Sequence, residues 1–381
     1  MTMPPAIGPA TLPASASSPA SGQRPIHALT GLRGVAAWCV VFYHIRYSLT
    51  AILPASAIEF MAKGYLAVDL FFLLSGFVMW LNYGAVFTSG GLRAAPRFWW
   101  KRFARIWPLH ALVLSAMVVF ALAVLLTGRD ASAYPVGELP LHILLMQNWG
   151  MTGQLAWNHP AWSISAEFAA YLLFPLLVTA VPWPRIGTWV LAGVAAGLAM
   201  GLYLIFALQG HATLGADITH LGLWRCLAQF SMGAVLALVW QRHGGQTMAL
   251  AAWGACAAIL AIALLADLPE TAFVPALFAA GLLALASDRG AAGRLFAARP
   301  LRWLGDISYA TYLLHFFGFV LFKLMFVDAS LQMGWWQLLA FGALLLAASD
   351  AVFRWFEKPA QRWLNTHSPR FAQRQSGAAA R

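Results

Sequence analysis

Residues 29–44 read Leu29-Thr-Gly-Leu-Arg-Gly-Val-Ala-Ala-Trp-Cys-Val-Val-Phe-Tyr-His44, an apolar run interrupted by two polar residues, Arg33 and His44. Apolar residues in such numbers predict a helix that enters a bilayer. Eleven positions separate Arg33 from His44, so in a helix they share one face at a distance of about 16 Å. Polar side chains inside a membrane usually line a cavity or bind a partner. The stretch therefore predicts a site within the membrane.

The composition indicates the class of protein. Hydrophobic residues make up 61% of the chain and charged residues 10%, whereas a soluble domain has about 25% charged residues. These values exclude an ordinary soluble domain and favour an all-α, polytopic membrane helix bundle. Apolar windows of about 19 residues predict about ten transmembrane helices, near 29–49, 64–87, 108–127, 161–181, 187–208, 219–240, 248–266, 271–287, 304–326 and 335–356.

The net charge of +11 follows the predicted topology. If the first span runs from inside to outside, the basic clusters at 93–105, 289–302 and 358–381 fall on one side of the membrane. The loops on the other side contain only Arg46, Lys63 and Arg129. The positive-inside rule then predicts that both chain termini are cytoplasmic. This distribution favours membrane lipids as partners and gives no reason to expect nucleic-acid binding.

The chain is predicted to form one domain with two tails. Residues 1–25 are rich in Pro, Ala and Ser and lack the basic and apolar regions of a signal peptide, so we expect a disordered cytoplasmic tail. Residues 26–358 form the predicted membrane domain, and residues 359–381 a basic cytoplasmic tail. The longest predicted extracytoplasmic segment, 128–160, is too short for a separate domain.

Two further patterns are interpreted as packing features. A small-xxx-small ridge in the fifth span is expected to let a neighbouring helix approach; it consists of Gly193, Gly197 and Gly201. The three cysteines lie in apolar runs without the spacing of a metal site, so no metal is expected; they are Cys39, Cys226 and Cys256.

Asp69 lies inside the apolar run of the second predicted span. A carboxylate there should be paired, neutral or close to the aqueous boundary. Consecutive spans joined by a short loop are usually neighbours, so Arg33 or His44 is the expected partner. The alternative is an ion pair that only fixes helix packing.

Two arginines precede the third span within Phe98-Trp-Trp-Lys-Arg-Phe-Ala-Arg-Ile-Trp-Pro108. Arg102 and Arg105 are three positions apart and therefore lie on one side of a helical turn. Paired guanidinium groups suit the phosphates of an anionic donor. They suit lipid headgroups equally well, so both interpretations stay open.

The fourth span begins with a polar stripe. Ser163, Glu167 and Tyr171 recur at four-residue spacing on an otherwise apolar helix. The glutamate could be a general base, a group that orients a histidine, or a proton-coupling group of a transporter. His159, just outside the span, is interpreted as an ordinary interfacial residue.

Later spans contain four more polar residues of interest, Arg225, Ser308, Tyr312 and His315. The last three share one helical face. Each could simply make an interhelical hydrogen bond. Glu357, at the end of the last span, is interpreted as a boundary feature.

The sequence lacks the motifs of several common catalytic and binding sites. The sequence has no GxSxG, no HExxH, no phosphate-binding glycine loop and no cysteine cluster. Histidine, carboxylates and arginines in one bundle fit proton transfer on a hydroxyl acceptor, with cations holding an anionic donor. They also fit a proton-coupled exporter of an anionic solute. A structural membrane anchor is a third possibility.

The chain resembles the acyltransferase-3 family of integral membrane O-acyltransferases from Leu29 to the Glu357-Lys-Pro segment. Six segments make the resemblance specific: Leu32-Arg-Gly with His44; Val68-Asp-Leu-Phe-Phe with Ser75-Gly-Phe; Arg102 and Arg105 before Ile106-Trp-Pro; Trp162-Ser-Ile-Ser-Ala-Glu167; Arg225 with Phe230 and Gly233; and Leu304-Gly-Asp-Ile-Ser-Tyr with Tyr312-Leu-Leu-His315.

The resemblance implies a multi-pass enzyme of the bacterial cytoplasmic membrane. It would move an acyl group, most often acetyl, from cytoplasmic acyl-coenzyme A to a hydroxyl of an extracytoplasmic carbohydrate, such as O-antigen, exopolysaccharide or a lipid-linked glycan. No permanently bound cofactor is expected. The acceptor stays open, since peptidoglycan or a small secondary metabolite would also present a hydroxyl. A succinyl or longer donor and the oligomeric state stay open too.

The same resemblance, together with the shared helix face, suggests roles for individual residues. His44 is expected to act as the general base or as a transient acyl carrier. Glu167 or Asp69 would orient its imidazole. The coenzyme A phosphates, or the entry path of its pantetheine arm, are assigned to Arg33, Arg102 and Arg105.

Overall fold

The computed structural model describes residues 26–373, and all regular secondary structure in that range is helical. The predicted tail at 1–25 lies outside the described residues. Sixteen α-helices follow in order: α1 (His27–Ile45), α2 (Ala55–Ala62), α3 (Ala67–Gly90), α4 (Ala95–Leu126), α5 (Leu139–Ile143), α6 (Ala161–Ala180), α7 (Thr188–Leu208), α8 (Ile218–His243), α9 (Gln246–Leu265), α10 (Glu270–Ser287), α11 (Ala291–Phe296), α12 (Arg299–Asp306), α13 (Ser308–Phe326), α14 (Trp335–Val352), α15 (Lys358–Thr366) and α16 (Arg370–Gln373).

The long helices confirm a multi-pass membrane protein. Within residues 26–373, nine continuous helical segments are long and apolar enough to cross a membrane. One of them, Ala55–Leu126, contains two long helices, α3 and α4. The total agrees with the prediction of about ten spans. The cytoplasmic location of the termini stays a prediction.

The structure differs from the predicted spans at the start of the third one. Helix α4 begins at Ala95 rather than near residue 108, so the basic and aromatic segment continues a transmembrane helix. Lysine and arginine can extend such a helix because their stems pack on apolar surface while their charged ends reach water. Helix α15 follows the last long helix and is attached to α4, because Trp100 Nε1 donates to the Leu364 carbonyl oxygen at 2.9 Å.

Helices α3 and α8 cross so closely that their backbones touch at two glycines. A Cβ atom added to Gly76 would lie 1.8 Å from the Phe230 carbonyl oxygen, and one added to Gly233 would lie 1.9 Å from the Leu73 carbonyl oxygen. Glycine is therefore required on both helices. The crossing fixes the register of α3 against α8 and hence the height at which their polar residues meet.

The predicted glycine ridge has no comparable contact. A Cβ atom added to Gly193, Gly197 or Gly201 would meet no atom of the described residues within 4 Å. The prediction that this ridge lets a neighbouring helix of the chain approach is therefore wrong. The small-xxx-small spacing is the same as that of a real crossing, but α7 turns this face away from the bundle.

We expect Gly76→Ala to destabilise the protein and Gly197→Ala to leave it intact. The added methyl group at Gly76 must push two backbones apart, and overpacking of this kind costs roughly 1–3 kcal/mol. At Gly197 the methyl group meets open space, and alanine is the better helix former. Thermal unfolding of the two variants in detergent micelles tests the difference, and equal midpoints would contradict the close crossing.

Candidate active site

A cavity of about 210 Å³ opens among α1, α3, α4, α6 and α13. It lies near the N-terminal ends of α1, α4 and α13, where the helices contribute polar side chains to an otherwise apolar wall. We call it the arginine cavity. The residues that line it include Arg33, Arg102, Arg105, Glu167, Ser308 and Tyr312, all predicted from the sequence.

The three guanidinium groups of the arginine cavity differ in their partners. Arg105 donates to the carboxylate of Glu357, which is buried. Arg102 Nη2 donates to the Tyr83 hydroxyl at 3.3 Å. Among the described residues, the buried Nε atoms of Arg33 and Arg102 have no hydrogen-bond partner. Buried polar atoms without a partner are uncommon, so this wall is well suited to an anionic ligand.

The polar stripe of α6 faces the same cavity. Ser163, Glu167 and Tyr171 all line it. Glu167 Oε1 accepts hydrogen bonds from the Ser75 and Tyr171 hydroxyls, each at 2.5 Å. The carboxylate is therefore held by hydroxyl groups. No hydrogen bond in the part of the chain that the structure describes joins it to His44.

A second cavity, of about 220 Å³, lies at the C-terminal end of α1. We call it the histidine cavity, because His44 and His159 line it together with Tyr43, Arg46, Tyr65 and Trp162. Val68 and Tyr312 line both this cavity and the arginine cavity. These two side chains therefore form a wall that the two cavities share.

His44 is held by a second histidine. Its Nδ1 lies 2.9 Å from the Val40 carbonyl oxygen and 3.1 Å from Nε2 of His315. His315 Nδ1 lies 2.6 Å from the Tyr312 carbonyl oxygen. His315 is fully buried on α13.

These contacts assign the tautomers of both histidines. A carbonyl oxygen only accepts, so each Nδ1 must carry a proton. Neutral His315 then has a free lone pair on Nε2, which accepts from His44 Nδ1. The remaining nitrogen of His44, Nε2, is left unprotonated, which is the state that a general base requires.

Asp69 pairs with α8 rather than with α1. Its buried carboxylate accepts from Arg225 Nε at 2.6 Å, from Arg225 Nη2 and from Gln229 Nε2. Arg225, Gln229 and Gly233 recur every four residues on one face of α8, and the close crossing at Gly233 turns that face toward α3. The expectation that Arg33 or His44 would be the partner is therefore wrong.

Comparison with known families identifies the chain. Residues 26–354 match the acyltransferase-3 family, which is described as an acyltransferase domain. The chain belongs to this family. The resemblance drawn from the six sequence segments is confirmed, and the protein is a membrane acyltransferase.

Two relatives that are named as acyltransferases align with more than half of the chain. The acyltransferase MdmB of Streptomyces mycarofaciens is 31% identical over 310 residues, which cover 76% of this chain and 77% of the relative. A "putative O-acetyltransferase" of Staphylococcus aureus (strain COL) is 24% identical over 234 residues, or 57% of this chain and 35% of the relative. No solved structure matches the chain.

In this acyltransferase, two residues that the sequence does not assign to a site lie at a cavity or contact a residue that lines one. His159 was interpreted as interfacial, but it lines the histidine cavity and stacks on Phe316 with ring centroids 4.7 Å apart. Burial lowers the pKa of His159, which favours the neutral form of its imidazole. Glu357, interpreted as a boundary residue, is the buried partner of Arg105. Its place in the Glu357-Lys-Pro segment of the family resemblance was the available signal.

Proposed function

We propose that this acyltransferase moves an acyl group from acyl-coenzyme A in the arginine cavity to a hydroxyl group of an acceptor in the histidine cavity. The main support is that the two cavities meet at Val68 and Tyr312. One side of this wall offers cations for phosphates, and the other offers a neutral histidine for a hydroxyl. The name of the staphylococcal relative supports acetyl as the group and oxygen as the atom that receives it.

The spacing along α1 supports acyl-coenzyme A as the donor. Arg33 and His44 lie on the same helix at opposite cavities, about 16 Å apart from the helical rise. The extended pantetheine arm of coenzyme A, which links its phosphates to its thioester, is of comparable length. Phosphates held at Arg33 and Arg102 would therefore place the thioester near the shared wall.

The residues of this chain can accept and return every proton that moves in the proposed reaction. His44 Nε2 takes the proton of the acceptor hydroxyl while the hydroxyl oxygen attacks the thioester carbon. The C–S bond then breaks, and the departing thiolate of coenzyme A takes the proton from His44. The products are an ester and free coenzyme A, with both histidines back in their starting state.

The two cavities also agree with the predicted topology. The arginine cavity lies at the end of the bundle that is predicted to be cytoplasmic, where acyl-coenzyme A is made. The histidine cavity lies toward the opposite face. We therefore place the enzyme in the bacterial cytoplasmic membrane and expect its acceptor to be an extracytoplasmic carbohydrate or a lipid-linked glycan.

Purified enzyme in detergent micelles tests this function directly. With labelled acetyl-coenzyme A as donor and glycans extracted from the bacterial surface as acceptor, we expect free thiol and labelled, base-labile glycan to form in equal amounts. An enzyme that leaves the thioester intact, or a vesicle assay in which an anionic solute moves without thioester cleavage, would contradict the proposal.

We expect Arg33→Ala and Arg102→Ala to weaken donor binding. A hydrogen bond to a charged group contributes about 1.5–3 kcal/mol, so the KM for acetyl-coenzyme A should rise roughly tenfold or more while kcat changes little. Arg97→Ala is the matched control, because Arg97 is on the same helix as Arg102 but is exposed. An unchanged KM in both cavity variants would remove the phosphate assignment.

We expect His315→Leu to lower kcat and His315→Gln to keep part of it. Leucine cannot accept the hydrogen bond from His44 Nδ1, whereas the glutamine side-chain oxygen can. A misplaced catalytic group loses roughly 10²-fold in rate, and the KM for the donor should stay at the wild-type value. If the leucine variant turns over like the wild type, the pairing of the two histidines has no role in the reaction.

A further inference from the structure

Tyr312 is the polar residue at the junction of the two cavities. Among the described residues, only Tyr312 and Val68 line both cavities, and Val68 has no hydrogen-bonding side chain. Tyr312 is 7% exposed and packs its ring near Phe71 and His315. A thioester that reaches the wall from the arginine cavity would meet this side chain.

The hydroxyl of Tyr312 belongs to a small group of donors that share one acceptor. It lies 2.7 Å from the Ser163 hydroxyl and donates to the Pro160 carbonyl oxygen at 3.1 Å. Ser163 donates to the same carbonyl oxygen at 3.0 Å. If Tyr312 turns its proton elsewhere, the backbone N–H of Ser163, at 3.3 Å, still donates to the Pro160 carbonyl oxygen, and the Ser163 hydroxyl can turn to donate to the Tyr312 oxygen. The tyrosine proton can therefore be redirected without leaving a buried carbonyl unpaired.

The arginines that line the two cavities have other roles. Arg225 lines the histidine cavity but is bound to the Asp69 carboxylate. The guanidinium group of Arg33 is assigned to the far end of the donor, about 16 Å along α1 from His44. Arg102, on α4, is assigned to the same phosphates. The attacked carbonyl oxygen becomes negative in the transition state and needs a donor at that point. Tyr312 is placed to provide it.

We propose that Tyr312 donates a hydrogen bond from its hydroxyl to the carbonyl oxygen of the transferred acyl group, and that Ser163 holds this hydroxyl in position. The inference rests on the proposed function. As the acceptor oxygen adds to the thioester carbon, the carbonyl electron pair moves to oxygen and is stabilised by the Tyr312 proton, which is not transferred. When the C–S bond breaks, the carbonyl re-forms and Tyr312 returns to Pro160.

Tyr312→Phe tests the inference, because phenylalanine keeps the ring and removes only the donor. The assay uses purified enzyme, acetyl-coenzyme A and extracted surface glycan, and follows thiol release. We expect kcat to fall roughly 10²-fold, the usual effect of losing one such donor, with both KM values and the unfolding temperature at wild-type levels. Ser163→Ala should lower kcat by a smaller factor, because Tyr312 keeps its hydroxyl.

The matched control is Tyr203→Phe, in helix α7 and outside both cavities, which should behave like the wild type. An unchanged kcat for Tyr312→Phe overturns the inference, as does a rise in the donor KM alone, which would make Tyr312 only part of the cavity wall. A wild-type enzyme that transfers no acetyl group overturns the proposed function itself. These failures are therefore distinguishable.

Discussion

Replacing His44 with alanine is expected to lower the rate of acyl transfer by roughly 10²–10⁴-fold, the usual contribution of a general base. The reason is geometric. Val40 and His315 fix the proton of His44 on Nδ1, which leaves Nε2 as the base of the histidine cavity. Without that nitrogen, the acceptor hydroxyl must attack with its proton still attached. The KM for acetyl-coenzyme A should change little, because the arginine cavity is untouched.

The measurement is thiol release and label transfer by purified variants at matched concentrations. His243→Ala is the control, since His243 is exposed at the end of α8. His44→Gln separates a folding defect from a chemical one, because glutamine fills similar space without a basic nitrogen. Turnover within a few fold of the wild type in both His44 variants would exclude His44 as the base.

Arg225→Ala is expected to cost about 3–5 kcal/mol of folding free energy, the range seen when one partner of a buried ion pair is removed. The loss follows from burial. Asp69 is 0% exposed and Arg225 is 1% exposed, so the variant leaves a buried carboxylate without its cationic partner. An unpaired carboxylate at the crossing of α3 and α8 must either neutralise or pull the helices apart.

Thermal unfolding in detergent micelles tests this expectation, and two further variants serve as comparisons. The double variant Asp69→Leu with Arg225→Met should be more stable than either single variant, because it removes both charges and fills the space. Arg354→Ala breaks an exposed pair with Asp350 and should cost less than about 1 kcal/mol. If Arg225→Ala unfolds at the wild-type temperature, the pair does not hold the crossing together.

The class of fold could be predicted from the sequence because each span carries its own signal. A helix in lipid must satisfy its backbone internally, so an apolar run of sufficient length already specifies a spanning helix. The structure agrees with the all-α prediction and with about ten spans. Helix ends were less predictable: α4 extends back to Ala95, where lysine and arginine stems pack on apolar surface while their charged ends reach water.

Side chains that share one helix face could also be predicted, because the spacing of residues along a helix determines which of them lie on the same face. Ser163, Glu167 and Tyr171 line one cavity as their spacing indicates. Partners on different helices could not be predicted in this way. Asp69 meets Arg225 rather than Arg33, because the partner is decided by where α3 crosses α8. Contacts of this kind depend on packing that no single span encodes.

Mass spectrometry of surface glycans tests the proposed reaction most directly. Three strains are compared: cells with the wild-type gene, cells without the gene, and cells with His44→Ala at equal expression. We predict a base-labile mass increment equal to one acyl group, present with the wild-type gene and lost in both other strains. The increment would also identify the acyl group and the glycan that receives it. An acylated glycan that persists in the His44→Ala strain would contradict the proposed role of His44 and of the two cavities that meet beside it.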